Sequence, residues 1–354
     1  MSTLRSLFIA SPAIDGFFFF GSAGVVLLAW LAAARFQVNS FYILAAVAVF
    51  SNGPHLVSTW SRVYFDRREW RRRPFHLLVV PAVIALLVVA VVHFGGREGS
   101  RALNSILLYW ATWHFVAQSW GILRIYQRRS GEPENSLAMR LEKPLLFLFV
   151  AWCLLHRLHT GPRMLFGTEV HHLPLPRAVV DGLLGPFLFL FFLYLVQRLR
   201  QWRAPWAQGA WLRAGFLGCS FLGFAVPFLF IKTDDTTAFA AAAGWHGLQY
   251  LGIVRLYHRN AWKGGVHPDA PVVSWLSQPG WGRLVLYAAF LLALAGSGYL
   301  FIYTGALLTA GSRWDVYTWG AVVWLSFTFG HYYMDGVIWK LSKSPEVAAR
   351  VNAG

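Results

Sequence analysis

Trp113-His114-Phe115-Val116-Ala117-Gln118-Ser119-Trp120-Gly121-Ile122-Leu123-Arg124-Ile125-Tyr126 is an apolar run with one imidazole inside it and a basic end. The pattern recurs as Trp245-His246-Gly247-Leu248-Gln249-Tyr250-Leu251-Gly252-Ile253-Val254-Arg255-Leu256-Tyr257, one residue shorter between histidine and arginine. A third copy, His55-Leu56-Val57-Ser58-Thr59-Trp60-Ser61-Arg62-Val63-Tyr64, keeps the histidine and the Arg-x-Tyr ending. In the fourth, His331-Tyr332-Tyr333-Met334-Asp335-Gly336-Val337-Ile338-Trp339-Lys340, the ending becomes Trp-Lys. The chain carries this element four times, so its reading decides the fold.

The rest of the 354-residue chain agrees with a membrane setting. It is 57% hydrophobic and 17% aromatic with only 13% charged residues, more apolar than a soluble domain of this length carries. A span needs about 20 apolar residues, and ten stretches qualify: 16–34, 41–64, 75–94, 104–126, 143–160, 179–197, 212–231, 238–257, 283–303 and 315–340. The expected fold is an all-α, polytopic bundle in one integral-membrane domain over 1–354, with 341–354 a short cytoplasmic tail. The first run is long enough to span and lacks a small-residue cleavage site, so it reads as a helix rather than a removed signal.

The net charge of +16 sits in short clusters between apolar runs, which speaks for membrane orientation and against a nucleic-acid partner. With ten spans, 23 Lys and Arg fall on one side and 8 on the other. The positive-inside rule then places both termini in the cytoplasm of a cell-membrane protein. The four histidine copies fall on spans 2, 4, 8 and 10, all running outside to inside. The basic end follows the histidine by 7, 10, 9 and 9 residues, roughly 10–15 Å at a helical rise of ~1.5 Å. All four imidazoles are thus expected at one depth.

A single polar side chain in a span is commonly interhelical glue. Four at one depth point to a shared site, because intramembrane ionisable groups are costly and face the bundle interior. Neutral imidazole is the commonest metal ligand, so His55, His114, His246 and His331 are the expected ligands. Asp335, one turn beyond His331, is a candidate fifth ligand or acid-base group, with a salt bridge to a snorkelling cation as its plain alternative. Gln118 and Gln249 are expected to orient ring nitrogens, substrate or water. Nitrogen and carboxylate donors suit non-haem iron, with zinc or manganese as rivals.

A second tier contains Asp15, His76 and His258, which can extend the site or serve as a helix cap and head-group contacts. A separate outer group, His156, His159, His171 and His172 with Glu169, has spacings compatible with metal or with ordinary solvated loops. The run from Arg62 to Arg73 reads as an anchor for anionic membrane lipids, or as a surface for an anionic head group or a redox partner. Cys153 and Cys219 lie in apolar runs without Cys-x-x-Cys spacing, so neither a disulfide framework nor a thiolate site is expected. Zinc-protease, phosphate-loop and dinucleotide motifs are absent.

Phe329-Gly330-His331-Tyr332-Tyr333-Met334-Asp335, with four histidines on separate spans, resembles the Brp/Blh family of membrane oxygenases. The resemblance does not extend to the segments around His55 and His114. It implies carotene-type cleavage on histidine-bound non-haem iron. The expected function is a membrane-embedded iron oxygenase or oxidase, mononuclear or di-iron, that acts on a lipid-soluble substrate and draws on an electron donor. Two alternatives stay open: a haem b electron-transfer protein with histidine pairs as axial ligands, and a metal or small-molecule transporter.

Overall fold

A computed structural model describes residues 7–161, 163–166, 168–232, 235–312, 314–339 and 345–352. Arg5, Arg313, Lys340 and the start of the expected tail lie outside the described residues. In chain order the helices are α1 (Pro12–Phe20), α2 (Ala23–Ala34), α3 (Ser40–Tyr64), α4 (Arg67–Arg72) and α5 (Phe75–Arg129), then α6 (Leu137–Thr160), α7 (Arg177–Arg200) and α8 (Ala207–Phe230). After these come α9 (Asp235–Ala261), α10 (Pro271–Leu276), α11 (Trp281–Leu308), α12 (Val316–Ile338) and α13 (Pro345–Asn352). The strands are a two-residue antiparallel pair, Met164–Leu165 with Thr168–Glu169. The chain is therefore all-α in class.

Five helices are long and apolar enough to cross a bilayer: α3, α5, α7, α8 and α11. A sixth is added if α1 and α2, bent by 41°, form one span. This is fewer than the ten expected, for two reasons. α5 is a single 55-residue stretch, roughly 80 Å at helical rise. It is broken at Gly96, whose φ of 53° and ψ of −129° no helix accommodates. Helices α6, α9 and α12 carry polar groups of the interior, among them Glu142, Arg157, His246, Gln249, Arg255, His331 and Asp335, and these lower their mean hydropathy. The helices that pass wear their apolar side chains outward: Leu86, Leu87, Phe189, Phe192, Leu307 and Leu308 are all exposed. Lipid is the solvent that tolerates such a surface.

The chain divides into two compact units. The first, 1–45 with 108–249, contains most of α5's second half, α6 to α8 and the start of α9. Trp245 is completely buried there, edge-on to Phe224 at 5.1 Å, and it lies over Gly223, where a Cβ would stand 2.4 Å from the indole. The same unit buries four charges. Arg198 bonds Glu132 at 2.7 Å and Glu142 at 3.1 Å, while Arg213 bonds Glu142 at 2.7 Å and also pairs with Glu132. Two arginines against two carboxylates leave this cluster neutral, which is what burial of ions demands.

The second unit, 46–107 with 250–353, packs α3 against α11 and α12. Val57, Leu276, Tyr287 and Leu291 form one apolar cluster, and Val63, Leu77, Met334 and Ile338 another. Within α3, Ala48–Asn52 is a π-helical turn leading into Gly53-Pro54-His55. Proline cannot donate a backbone bond and crowds the preceding turn, and the wider turn accommodates it. A Cβ on Gly53 would stand 2.5 Å from the Ala48 carbonyl, so glycine is required. Such π-turns are frequent at functional sites, and this one ends three residues before His55.

Candidate metal centre

Each unit presents one histidine pair. In the first, α5 supplies His114 and α9 supplies His246, with ring centroids 4.8 Å apart. Phe115 packs against His246 with ring centroids 4.3 Å apart and planes tilted by 31°. In the second, α3 supplies His55 and α12 supplies His331, with centroids 4.4 Å apart. His55, His246 and His331 are almost wholly buried. Each of the four histidines offers one ring nitrogen, and these atoms lie within 4.8 Å of one another. Among the described residues this is the one group of three or more His, Cys, Asp or Glu with that property. A buried four-imidazole group can hold a metal ion, since neutral nitrogen donors bind without the cost of a buried anion.

Around the second pair a hydrogen-bond network sets ring orientation. Thr59, one turn after His55 on α3, places its hydroxyl 2.7 Å from Nδ1 of His331. The same hydroxyl lies 2.6 Å from the Tyr250 hydroxyl and donates to Asp335 at 3.1 Å. Tyr250 donates to Asp335 at 2.6 Å, and the Trp339 indole donates to Tyr250 at 2.9 Å. Binding Nδ1 of His331 to Thr59 turns Nε2 to the opposite side of the ring, the arrangement by which outer groups orient a metal-binding histidine. Tyr250 also lies edge-on to His55, with centroids at 4.5 Å.

Asp335, expected as a fifth ligand or an acid-base group, lies beside the four-histidine group, one turn from His331. Its Oδ1 accepts from two hydroxyls, and its Oδ2 stands 3.7 Å from Nε2 of His331. One turn inward of the histidine, the carboxylate is used to hold Tyr250 and Thr59. Gln118 and Gln249 do not reach the rings through the hydrogen bonds they make. Gln118 donates to the main-chain carbonyl of His246 at 3.0 Å, and Gln249 donates to Ser22 at 3.3 Å. Their Oε1 atoms are both buried with no hydrogen-bond partner among the described residues. A buried acceptor without a donor is costly, so these two oxygens fit a site that takes in a bound water or a polar ligand.

The second-tier residues are otherwise engaged. Asp15 is buried and accepts from the backbone N–H of Ile9 at 2.7 Å, from Ala10 at 2.9 Å and from the Tyr126 hydroxyl at 2.7 Å. It pins the N-terminal segment and has no capacity left for a metal. His76 pairs with the Tyr333 hydroxyl, and His258 with the Tyr287 hydroxyl at 3.2 Å. The outer histidines form no ligand group among the described residues. His156 faces Asp181 at 3.9 Å, His171 and His172 are exposed, and the Arg163 guanidinium lies 2.8 Å from the His172 ring. A guanidinium at that distance opposes a metal cation. Arg62, read from sequence as a lipid anchor, is instead buried between Tyr257 and Trp339.

Sequence reasoning did not single out Tyr250, although it stands four residues after His246 and so one turn on. Comparison of the chain with protein-family models, with curated proteins and with solved structures returns no match. The functional reading therefore rests on the chemistry of the site.

Proposed function

We propose that the protein is a membrane-embedded metalloenzyme, an oxygenase or oxidase with non-haem iron held by His55, His114, His246 and His331, acting on a lipid-soluble substrate. The observation that carries this reading is the convergence of four buried ring nitrogens within 4.8 Å. Bound iron would supply oxygen activation. The chain's own residues do the rest: Thr59 orients His331, Asp335 and Tyr250 hold Thr59, and the unpartnered oxygens of Gln118 and Gln249 orient water or substrate. The apolar walls exclude bulk water and favour an apolar substrate. The reading includes ten spans, parallel histidine helices, cytoplasmic termini, an external electron donor and a distant relationship to the Brp/Blh oxygenases.

Haem b is less well supported. Axial ligands stand on opposite faces of a macrocycle, whereas the rings of each pair touch edge to face at 4.4 and 4.8 Å. The test is elemental mass spectrometry of purified protein beside His246→Ala. About one or two iron atoms per chain, lost in the variant, supports the reading. Absence of any transition metal from gently purified wild-type protein rejects it.

A further inference from the structure

Two arginines of the second unit carry buried nitrogens with no hydrogen-bond partner among the described residues. Arg62, on α3, is 4% exposed. Its guanidinium lies 4.1 Å from the Tyr257 ring and 3.9 Å from that of Trp339, and its Nη2 donates to the Ile338 carbonyl at 3.1 Å. Its Nη1 is buried without a hydrogen-bond partner among the described residues. Arg255, on α9, stacks 5.2 Å from the Tyr287 ring, and its Nη1 is also buried and unpartnered. His258 adjoins both stacking rings: it is 1% exposed, its ring lies 5.8 Å from that of Tyr257, and its Nδ1 bonds the hydroxyl of the same Tyr287 at 3.2 Å. Arg350 adds a third positive charge from α13, with Nη1 donating to the Tyr257 hydroxyl at 2.6 Å.

The charge balance differs from that of the neutral quartet in the first unit. Of these three arginines only Arg350 makes an ion pair among the described residues, with Glu346. Asp335 acts on Arg62 through space but hydrogen-bonds Tyr250 and Thr59. A buried guanidinium N–H without an acceptor is costly, and two of them, one over the Tyr257 ring beside His258 and one over the Tyr287 ring that bonds His258, call for an anion. Guanidinium forks match the oxygens of phosphate.

We propose that Arg62, Arg255 and His258 form a binding site for a phosphate-class anion, either a free phosphate or pyrophosphate or the head group of an anionic phospholipid. The stacked Tyr257, Trp339 and Tyr287 rings hold the two guanidinium planes in place for it. The site does not depend on the metal reading, and its failure would leave that reading standing.

The test uses full-length protein in detergent, with wild type, Arg62→Gln and Arg255→Gln each checked for a monodisperse elution profile and unchanged metal content. Inorganic phosphate and pyrophosphate are titrated calorimetrically, and co-purifying phospholipid is identified by native mass spectrometry. Saturable binding of either free anion, weakened about tenfold or more by each substitution, identifies a soluble ligand. An anionic phospholipid retained by wild type and lost from both variants identifies a head group. If wild type binds neither, or if Arg255→Gln, the less buried and safer substitution, binds as wild type does, the proposal is overturned.

Discussion

Thr59→Val isolates the role of the network around His331. The substitution keeps the side-chain shape and removes the hydroxyl, which has three partners at 2.6, 2.7 and 3.1 Å. Two of these retain support. Tyr250 keeps Asp335 at 2.6 Å and Trp339 at 2.9 Å, and Asp335 keeps Tyr250. The loss therefore falls mainly on Nδ1 of His331, where one buried hydrogen bond is worth about 1–3 kcal/mol. Removing a group that orients a metal ligand typically lowers metal affinity by about 10–100-fold, or roughly 1.4–2.7 kcal/mol. The two estimates agree, so the predicted outcome is a 10–100-fold weaker metal complex in a protein that still folds. Competition between purified protein and a calibrated chelator measures it, with Thr59→Ser expected to stay within a few-fold of wild type. A Thr59→Val protein with wild-type metal affinity would refute the reasoning and reduce the Thr59–His331 contact to packing.

Further outcomes follow from single contacts. Gly223→Ala brings a methyl group to 2.4 Å from the Trp245 indole and is expected to cost about 1–3 kcal/mol through overpacking, read as an earlier thermal transition in detergent. Arg213→Gln leaves Glu132 and Glu142 short of a cation and is expected to cost about 3–5 kcal/mol; an unchanged unfolding transition would contradict it. Glu132 lies in the loop after α5. Burial alone would raise its pKa, but the Ser136 hydrogen bond and the charges of Arg213 and Arg198 outweigh it and hold the carboxyl below its usual 4.5. A depressed carboxyl stabilises the fold above its unfolded pKa and loses that contribution as pH falls through the folded value. Stability should thus decline below about pH 4.5, and Glu132→Gln should flatten this decline in thermal scans across acidic pH.

The helical class and most helix positions were legible because apolar runs of span length report directly on burial in lipid or core. The number of helices apolar enough to span was not, because His331, Asp335 and the charges of α6 and α9 are interior groups that dilute hydropathy. The four histidines were legible as the one imidazole in each of four apolar runs, and they meet as one buried group. The partners of Asp335 were less legible. Spacing shows that it shares a face with His331, but only contacts show that Tyr250 and Thr59 already occupy its Oδ1. Arg62 looked like a lipid anchor because it opens a basic run, yet it is buried while Arg71 and Arg72 of that run remain exposed.

By itself the sequence determined an all-helical, lipid-compatible chain and the four imidazoles of a buried group that could hold a metal ion. Those properties depend on composition and on spacing along a helix, which local geometry translates without further information. Only tertiary structure decided which nitrogen of His331 is held by Thr59, that Tyr250 belongs beside His55, that Asp15 is spent on the N-terminal segment, and that Arg62 is held between Tyr257 and Trp339. These contacts join residues far apart in the chain, up to 276 positions for Thr59 and Asp335. Hydrogen-bond directions and ring stacking at that separation follow from how helices pack, and no periodicity in a single strand of sequence encodes them.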